Sequence, residues 1–231
     1  SIGEVAVDVP AMIKRSRKVA TRLSLGVAHL LKKNKVTVIE ATASIGKKLK
    51  SGRQVRLSDG AVISAGHVII ATGARSRSLP GIEPNGKSIL TYREAMVPQH
   101  MPKSLIIVGS GAIGAEFASF YNDMGVEVTM IESVDRILPV EDPDVSAFVA
   151  GAFEKRGIKI LTNVKLQSVA VETKGVLAQL GDGHSDLTAD RLILAVGITG
   201  NFEGLGLEDT AVKIDRGHIM TDGFGATAEP E

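Results

Sequence analysis

Residues 105–132 read LIIVGSGAIGAEFASFYNDMGVEVTMIE. An apolar run ends in three glycines at G-x-G-x-x-G spacing, Gly109, Gly111 and Gly114, and a second apolar run ends on a lone acid, Glu132. Any tight strand-to-helix turn favours glycine. A backbone without Cβ atoms at the mouth of a helix can also approach a pyrophosphate, which the helix dipole favours. In that reading Gly109 makes the tight turn, Gly111 lets the main chain reach the phosphates, and Gly114 lets helix and strand pack closely. Glu132, 18 positions after Gly114, could then accept hydrogen bonds from ribose hydroxyls and repel a 2′-phosphate. That combination favours NAD over NADP. The alternative for Glu132 is an ordinary solvated acid at a strand end.

Other constellations carry less. Asp before Pro in Glu141-Asp142-Pro143-Asp144 reads as a helix N-cap with Pro at the first helical position, not as a metal site. The five histidines show no paired metal spacing, and neither a G-x-S-x-G elbow nor a P-loop occurs. No catalytic residue and no metal ligand is expected. Glu116, two residues after Gly114, could simply complement the dipole of the first helical turn.

These residues need elements to hold them. SLIIVG reads as a buried strand, the segment from Ala112 as a helix packing through Ile113, Phe117 and Phe120 or Tyr121, and VEVTMIE as the parallel strand after a crossover. Upstream, apolar residues at Met12, Val19, Leu23, Val27, Leu30 and Leu31 make 10–33 an amphipathic helix. VTVIEATA (36–43) and VIIATG (68–73) read as strands, with short alternating pieces around QVRLSDG between them. Downstream the order recurs: a helix over 145–156, strand IKILTNVKL (158–166), a turn at GDG (181–183) and strand LILAVG (192–197). LSDGAVISAGHVIIATGA aligns with LGDGHSDLTADRLILAVGI with one insertion, which suggests a duplicated unit. The opening unit that the first copy lacks would precede Ser1, so the chain is expected to be a piece of a longer one.

Bulk composition narrows the classes. The chain has 231 residues, 44% hydrophobic and 23% charged, as in an ordinary globular protein. Aromatics are 3% with no Trp, which argues against single-stranded nucleic acid. A net charge of +1 gives no field for DNA or an acidic membrane, and the run Lys14-Arg15-Ser16-Arg17-Lys18 reads as the wet face of a helix. No run is long enough for a membrane span, and there is no secretory signal, although Ser1 is not a natural start and the true N-terminus is expected to precede it. A cytoplasmic location is expected. Cysteine is absent, which removes thiol redox chemistry from these residues.

With VGSGAIGAEFA, MIESVDRILP (130–139), KNKVTVIEATASI (33–45), VIIATGARSRSLPGI (68–82) and LILAVGITGN (192–201) in view, the chain resembles the middle of the dihydrolipoamide dehydrogenases. These are flavoprotein disulfide reductases, and DRILP is nearer to the lipoamide branch than to glutathione reductases. The resemblance covers essentially every residue. It implies an α/β fold: a Rossmann-like three-layer nucleotide-binding domain for NAD over 92–220, an incomplete FAD-domain portion over 1–91, and a return to the FAD domain over 221–231. NAD contacts would fall on Gly109, Ser110, Gly111, Ala112, Ile113, Gly114, Ala115, Glu116, Glu132, Val164 and Gly197. Flavin contacts would fall on Ala43, Thr72, Gly73 and Ala74, and Glu116 matches a family acid near the flavin and nicotinamide.

The departures matter equally. The family's first FAD glycine motif, its C-x-x-x-x-C disulfide, its final Gly-Asp flavin contact and its C-terminal His-Glu pair are missing, and Ile198 and Gly200 stand where many members carry Arg and Pro. The resemblance implies a longer protein that oxidises dihydrolipoamide and passes electrons through a disulfide and FAD to NAD. Its partners would be a lipoyl-bearing 2-oxoacid dehydrogenase complex or glycine cleavage protein, and a second copy of itself. Another NAD(P)H-dependent flavin disulfide reductase, or a non-catalytic NAD(H)-binding module, stays open as an alternative.

Overall fold

The computed structural model describes residues 6–181 and 183–230. The chain runs through α1 (Val9–Lys33), then β1 (Ala43–Lys48), β2 (Arg53–Leu57), β3 (Val62–Ala65), β4 (Ala74–Ser76) and β5 (Ile89–Leu90). A short α2 (Tyr92–Ala95) precedes β6 (Ser104–Val108), α3 (Ala112–Asp123), β7 (Glu127–Ile131), α4 (Pro143–Lys155) and β8 (Lys159–Leu161). Next come β9 (Leu166–Glu172), β10 (Gly175–Leu180), β11 (Leu187–Ala189), β12 (Arg191–Leu194), β13 (Ile198–Gly200), β14 (Ile214–Asp215) and β15 (His218–Ile219). They divide into two compact units. The first holds the residues through Thr21 together with Ser76–Gly197, the second Arg22–Arg75 and the residues from Ile198 on.

The first unit is built on a five-stranded sheet in the order β5-β12-β6-β7-β8, every neighbouring pair parallel. Strand alternation sends Leu105, Ile107, Val128, Met130 and Ile193 to one face, where Ala115, Ala118 and Tyr121 of α3 and Phe153 of α4 cover them. Ile106, Val108, Ile131, Leu192 and Leu194 go to the other, against Val176, Ala178, Leu180 and Ala189 of the antiparallel sheet β9-β10-β11. Helices, parallel sheet and antiparallel sheet make three layers, and the α/β expectation holds. The continuous apolar runs at β6 and β12 follow from burial on both faces. The Tyr121 hydroxyl donates to the Ala95 carbonyl at 2.8 Å, and burial pushes its pKa up to about 12. Asp142 caps α4 by accepting from the Asp144 N–H at 2.8 Å, with Pro143 as the first helical residue, so the acidic run is a cap.

In the second unit β1, β2 and β3 form an antiparallel sheet, accompanied by the pairs β13-β4 and β14-β15. The sheets β1-β2-β3 and β9-β10-β11 carry the sequence repeat, which diverges in its last strand. LILAVG supplies β12, whereas VIIATG (68–73) forms no strand. Ile69 is 90% exposed, and Val68, Ile69 and Ile70 line an open cavity of about 570 Å³ with Ile45, Leu207 and Val212. VTVIEATA also fails as a strand: 36–42 is irregular, and Val36, Val38 and Ile39 are exposed. Apolar β-branched residues make a strand only where a neighbour supplies the ladder, and among the described residues neither 36–42 nor 68–73 lies in a strand pair, β1 beginning only at Ala43. IKILTNVKL is split, β8 ending at Leu161 and β9 beginning at Leu166. Asn163, between them, adopts a left-handed φ of 55°. The GDG turn at 181–183 includes a position outside the described residues. Helix α1 forms as expected, but it buries no residue, and Leu23, Val27 and Leu30 are exposed.

Candidate nucleotide-binding site

The glycine turn sits at the carboxyl end of β6, which has β7 on one side and β12 on the other. There the chain order reverses, and open α/β sheets form crevices beyond the strand ends at such points. The main chain is fixed by bonds from the Gly109 N–H to the Ile131 carbonyl at 2.9 Å and from the Ala195 N–H to the Val108 carbonyl at 2.8 Å.

The three glycines have different reasons to be glycine. Gly109 has φ +96°, and a Cβ there would run into the Ala195 carbonyl. A Cβ at Gly114, which is buried on the packed side of α3, would run into the Gly109 carbonyl oxygen. Both are demanded by packing within the protein. Gly111 is not: its φ is −64°, open to any residue, and a Cβ there would have nothing within 4 Å. Gly111 is also the N-cap of α3, and no side chain bonds to the helix from that position. The protein therefore leaves room at the start of a helix where its own atoms require none.

Glu132 closes the other side of the turn, and it is not a solvated strand end. It is 9% exposed. Its Oε2 accepts from the Ser110 N–H at 2.9 Å and the Ser110 hydroxyl at 2.7 Å. Its Oε1 accepts from the Ser133 hydroxyl and the Val134 N–H, both at 3.1 Å. Burial alone would raise its pKa. The bonds from Ser110, Val134 and Ser133 outweigh burial and hold the pKa below the usual 4.5, so the group is a carboxylate at neutral pH. Ser110 is fully buried, and its carbonyl accepts from the Leu138 N–H at 2.9 Å, which binds the loop after β7 to the turn.

A strand, a turn open at Gly111, a helix start and a charged strand-end acid are joined here in one hydrogen-bonded unit. Residues 2–231 match the pyridine nucleotide-disulphide oxidoreductase family. The chain belongs to that family. It is 46% identical over 223 residues to the dihydrolipoyl dehydrogenase of Zymomonas mobilis subsp. mobilis, covering 95% of this chain and 48% of that protein. It is also 46% identical over 242 residues to the dihydrolipoyl dehydrogenase of Rhizobium etli, covering 97% and 50%. The crystal structure of LpdA from Mycobacterium tuberculosis superposes with a TM-score of 0.83 at 32% identity, covering 93% of this chain and 48% of that one. The chain spans about half the length of the curated relatives it matches.

The other positions singled out by likeness to the family fall in two places. In the first unit, Ala112, Ile113, Ala115 and Glu116 are in the first turns of α3, with Ile113 and Glu116 exposed and Ala115 buried. Ile113 does not pack as expected, because the buried face of α3 is set by Gly114, Ala115, Ala118 and Tyr121. Val164 is buried, and its N–H donates to the Glu132 carbonyl at 2.9 Å, so its amide is already committed. Gly197, at φ +105°, lies two residues beyond Ala195 and accepts from the Arg77 N–H at 3.0 Å.

In the second unit, Ala43 opens β1 opposite Leu57. Thr72 and Gly73 are held by Asn201. The Thr72 hydroxyl donates to the Asn201 carbonyl at 2.6 Å, and the Asn201 N–H donates to the Gly73 carbonyl at 3.0 Å. Ala74 begins β4. G-x-G-x-x-G spacing occurs once in the sequence, at Gly109, Gly111 and Gly114 in the first unit. Ser133 and Ala195 escaped the sequence reading. A hydroxyl residue directly after a strand-end acid was the available signal for Ser133, while the carbonyl of Ala195 leaves no trace in residue type.

Proposed function

We propose that the first unit binds NAD(H), within an NAD domain over 92–220, as part of a longer NAD-dependent dihydrolipoyl dehydrogenase. The observation that carries this reading is the unforced glycine at 111. Packing accounts for Gly109 and Gly114, and a pyrophosphate accounts for the room left at Gly111. In this reading the phosphates lie against Gly111 at the start of α3, where the helix dipole favours negative charge. Glu132 receives ribose hydroxyls and rejects a 2′-phosphate by like charge. Val164 and Gly197 border the cofactor at the neighbouring strand ends. When bound, NAD supplies a hydride acceptor. Glu116, exposed on the second turn of α3, would lie near the nicotinamide, as the matching acid of the family does.

In the longer protein, residues 1–91 and 221–231 belong to the FAD domain, and Ala43, Thr72, Gly73 and Ala74 border the flavin. That longer protein would supply a disulfide and FAD, through which electrons from dihydrolipoamide would reach NAD. The partners are a lipoyl-bearing 2-oxoacid dehydrogenase complex or glycine cleavage protein and a second copy of the chain, in the cytoplasm. Among the described residues no helix is long and apolar enough to cross a membrane. The test is a titration of NADH into this chain, followed by cofactor fluorescence. A saturable change is expected, and a linear response equal to that of NADH in buffer would contradict the reading.

A further inference from the structure

We propose that the hydroxyls of Ser110 and Ser133 are internal stand-ins for the two adenosine ribose hydroxyls, and that they set the affinity of the site by competing with NAD(H) for Glu132. The inference rests on the NAD reading of the same site. A carboxylate has about four acceptor positions, and in Glu132 all four are taken. The arrangement is symmetrical: each oxygen receives one main-chain N–H and one serine hydroxyl. The main-chain donors, Ser110 N–H and Val134 N–H, are fixed by the turn and the loop. Each hydroxyl hangs on one rotatable bond and can turn away.

A ribose edge presents two vicinal hydroxyls. To reach this carboxylate they must take two occupied positions. Only the serine hydroxyls can leave without breaking the main chain, and they stand one on each oxygen, where a vicinal diol would place its own donors. The two departures differ in cost. Ser133 is exposed and its hydroxyl can turn to water, whereas Ser110 is fully buried and must give up a charged hydrogen bond at 2.7 Å. Ser110 is therefore the residue that holds affinity down, acting through Glu132 as a positioning residue. The exchange leaves the selectivity of Glu132 against a 2′-phosphate intact, because a phosphate cannot donate in place of a hydroxyl.

The experiment is calorimetric titration of wild type, Ser110→Ala and Ser133→Ala with NADH and with NADH lacking the adenosine 2′-hydroxyl. Ser110→Ala leaves the carboxylate short of a donor only in the free protein. It should bind NADH about tenfold more tightly, the lower end of the range for one charged hydrogen bond. Ser133→Ala should gain about twofold, because water replaces its hydroxyl. In wild type, loss of the 2′-hydroxyl should cost less than about threefold, since a serine stays in place, and in Ser110→Ala about tenfold. The wild-type arm decides the matter even if Ser110→Ala does not fold: a loss of tenfold or more there overturns the inference. So does unchanged or weaker NADH binding by Ser110→Ala, which would make Ser110 a plain brace for Glu132. No NADH binding by wild type or either variant would instead remove the NAD reading, and this inference with it.

Discussion

Replacing Gly111 by alanine adds one methyl group where the protein has nothing within 4 Å and where φ is −64°. The effect on folding is therefore small. Alanine is a poorer N-cap than glycine by less than about 1 kcal/mol, and the reduced freedom of the unfolded chain returns roughly 0.4–1 kcal/mol. Net stability should change by less than about 1 kcal/mol, and Gly111→Val should also fold. Binding should respond differently. If the pyrophosphate occupies that space, the methyl group displaces it and breaks one or two charged hydrogen bonds of about 1.5–3 kcal/mol each. NADH affinity then falls by at least about tenfold, and valine abolishes it. Gly114→Ala is the opposite control, because its Cβ would strike the Gly109 carbonyl and the fold itself should suffer by about 1–3 kcal/mol or more. Thermal unfolding and titration calorimetry on the same preparations read both effects. A Gly111→Ala protein with wild-type melting and wild-type NADH affinity would refute the assignment of that space to a ligand.

Three further outcomes are expected. The folded pKa of Glu132 lies below its ordinary 4.5, so its stabilisation is fully present above that value and is lost as pH falls through the folded pKa. Melting curves of wild type and Glu132→Gln between about pH 3 and 6 should converge toward the acid end, and parallel curves would contradict this. Tyr121→Phe leaves the buried Ala95 carbonyl without its donor and should cost about 1–3 kcal/mol in chemical denaturation; a change below about 0.5 kcal/mol would count against that bond. The chain alone, with no cysteine, should be colourless and form no NADH from dihydrolipoamide, which absorbance and a coupled assay check directly.

The strand, turn, helix and strand of 104–131 were legible because their signals are local. Two apolar runs buried on both faces, glycine at fixed offsets and a helical period all lie within one crossover. The caps at Asp142 and Pro143 were legible for the same reason. Strands at 36–43 and 68–73 were misread because a strand's identity depends on a neighbour, and the residue types Val, Ile and Thr do not report whether one is present. Glu132 was found by spacing, yet its saturation was hidden. Two of its donors come from Ser110, 22 residues earlier, and two from a loop whose path is set by the bond from the Leu138 N–H to the Ser110 carbonyl. The role of Ile113 was misjudged because Gly114, Ala115, Ala118 and Tyr121 define the face of the helix that meets the sheet, and Ile113 falls outside it.

Cofactor choice tests the central claim most directly, because it depends on the turn and on the charge of Glu132 together. Wild type and Glu132→Ala should be titrated with NADH and NADPH in parallel by calorimetry at moderate salt. The account predicts that wild type binds NADH at least about tenfold more tightly than NADPH, since the 2′-phosphate meets a carboxylate, and that Glu132→Ala loses most of this preference. Equal wild-type affinity for the two cofactors, or a preference unchanged in Glu132→Ala, would contradict it.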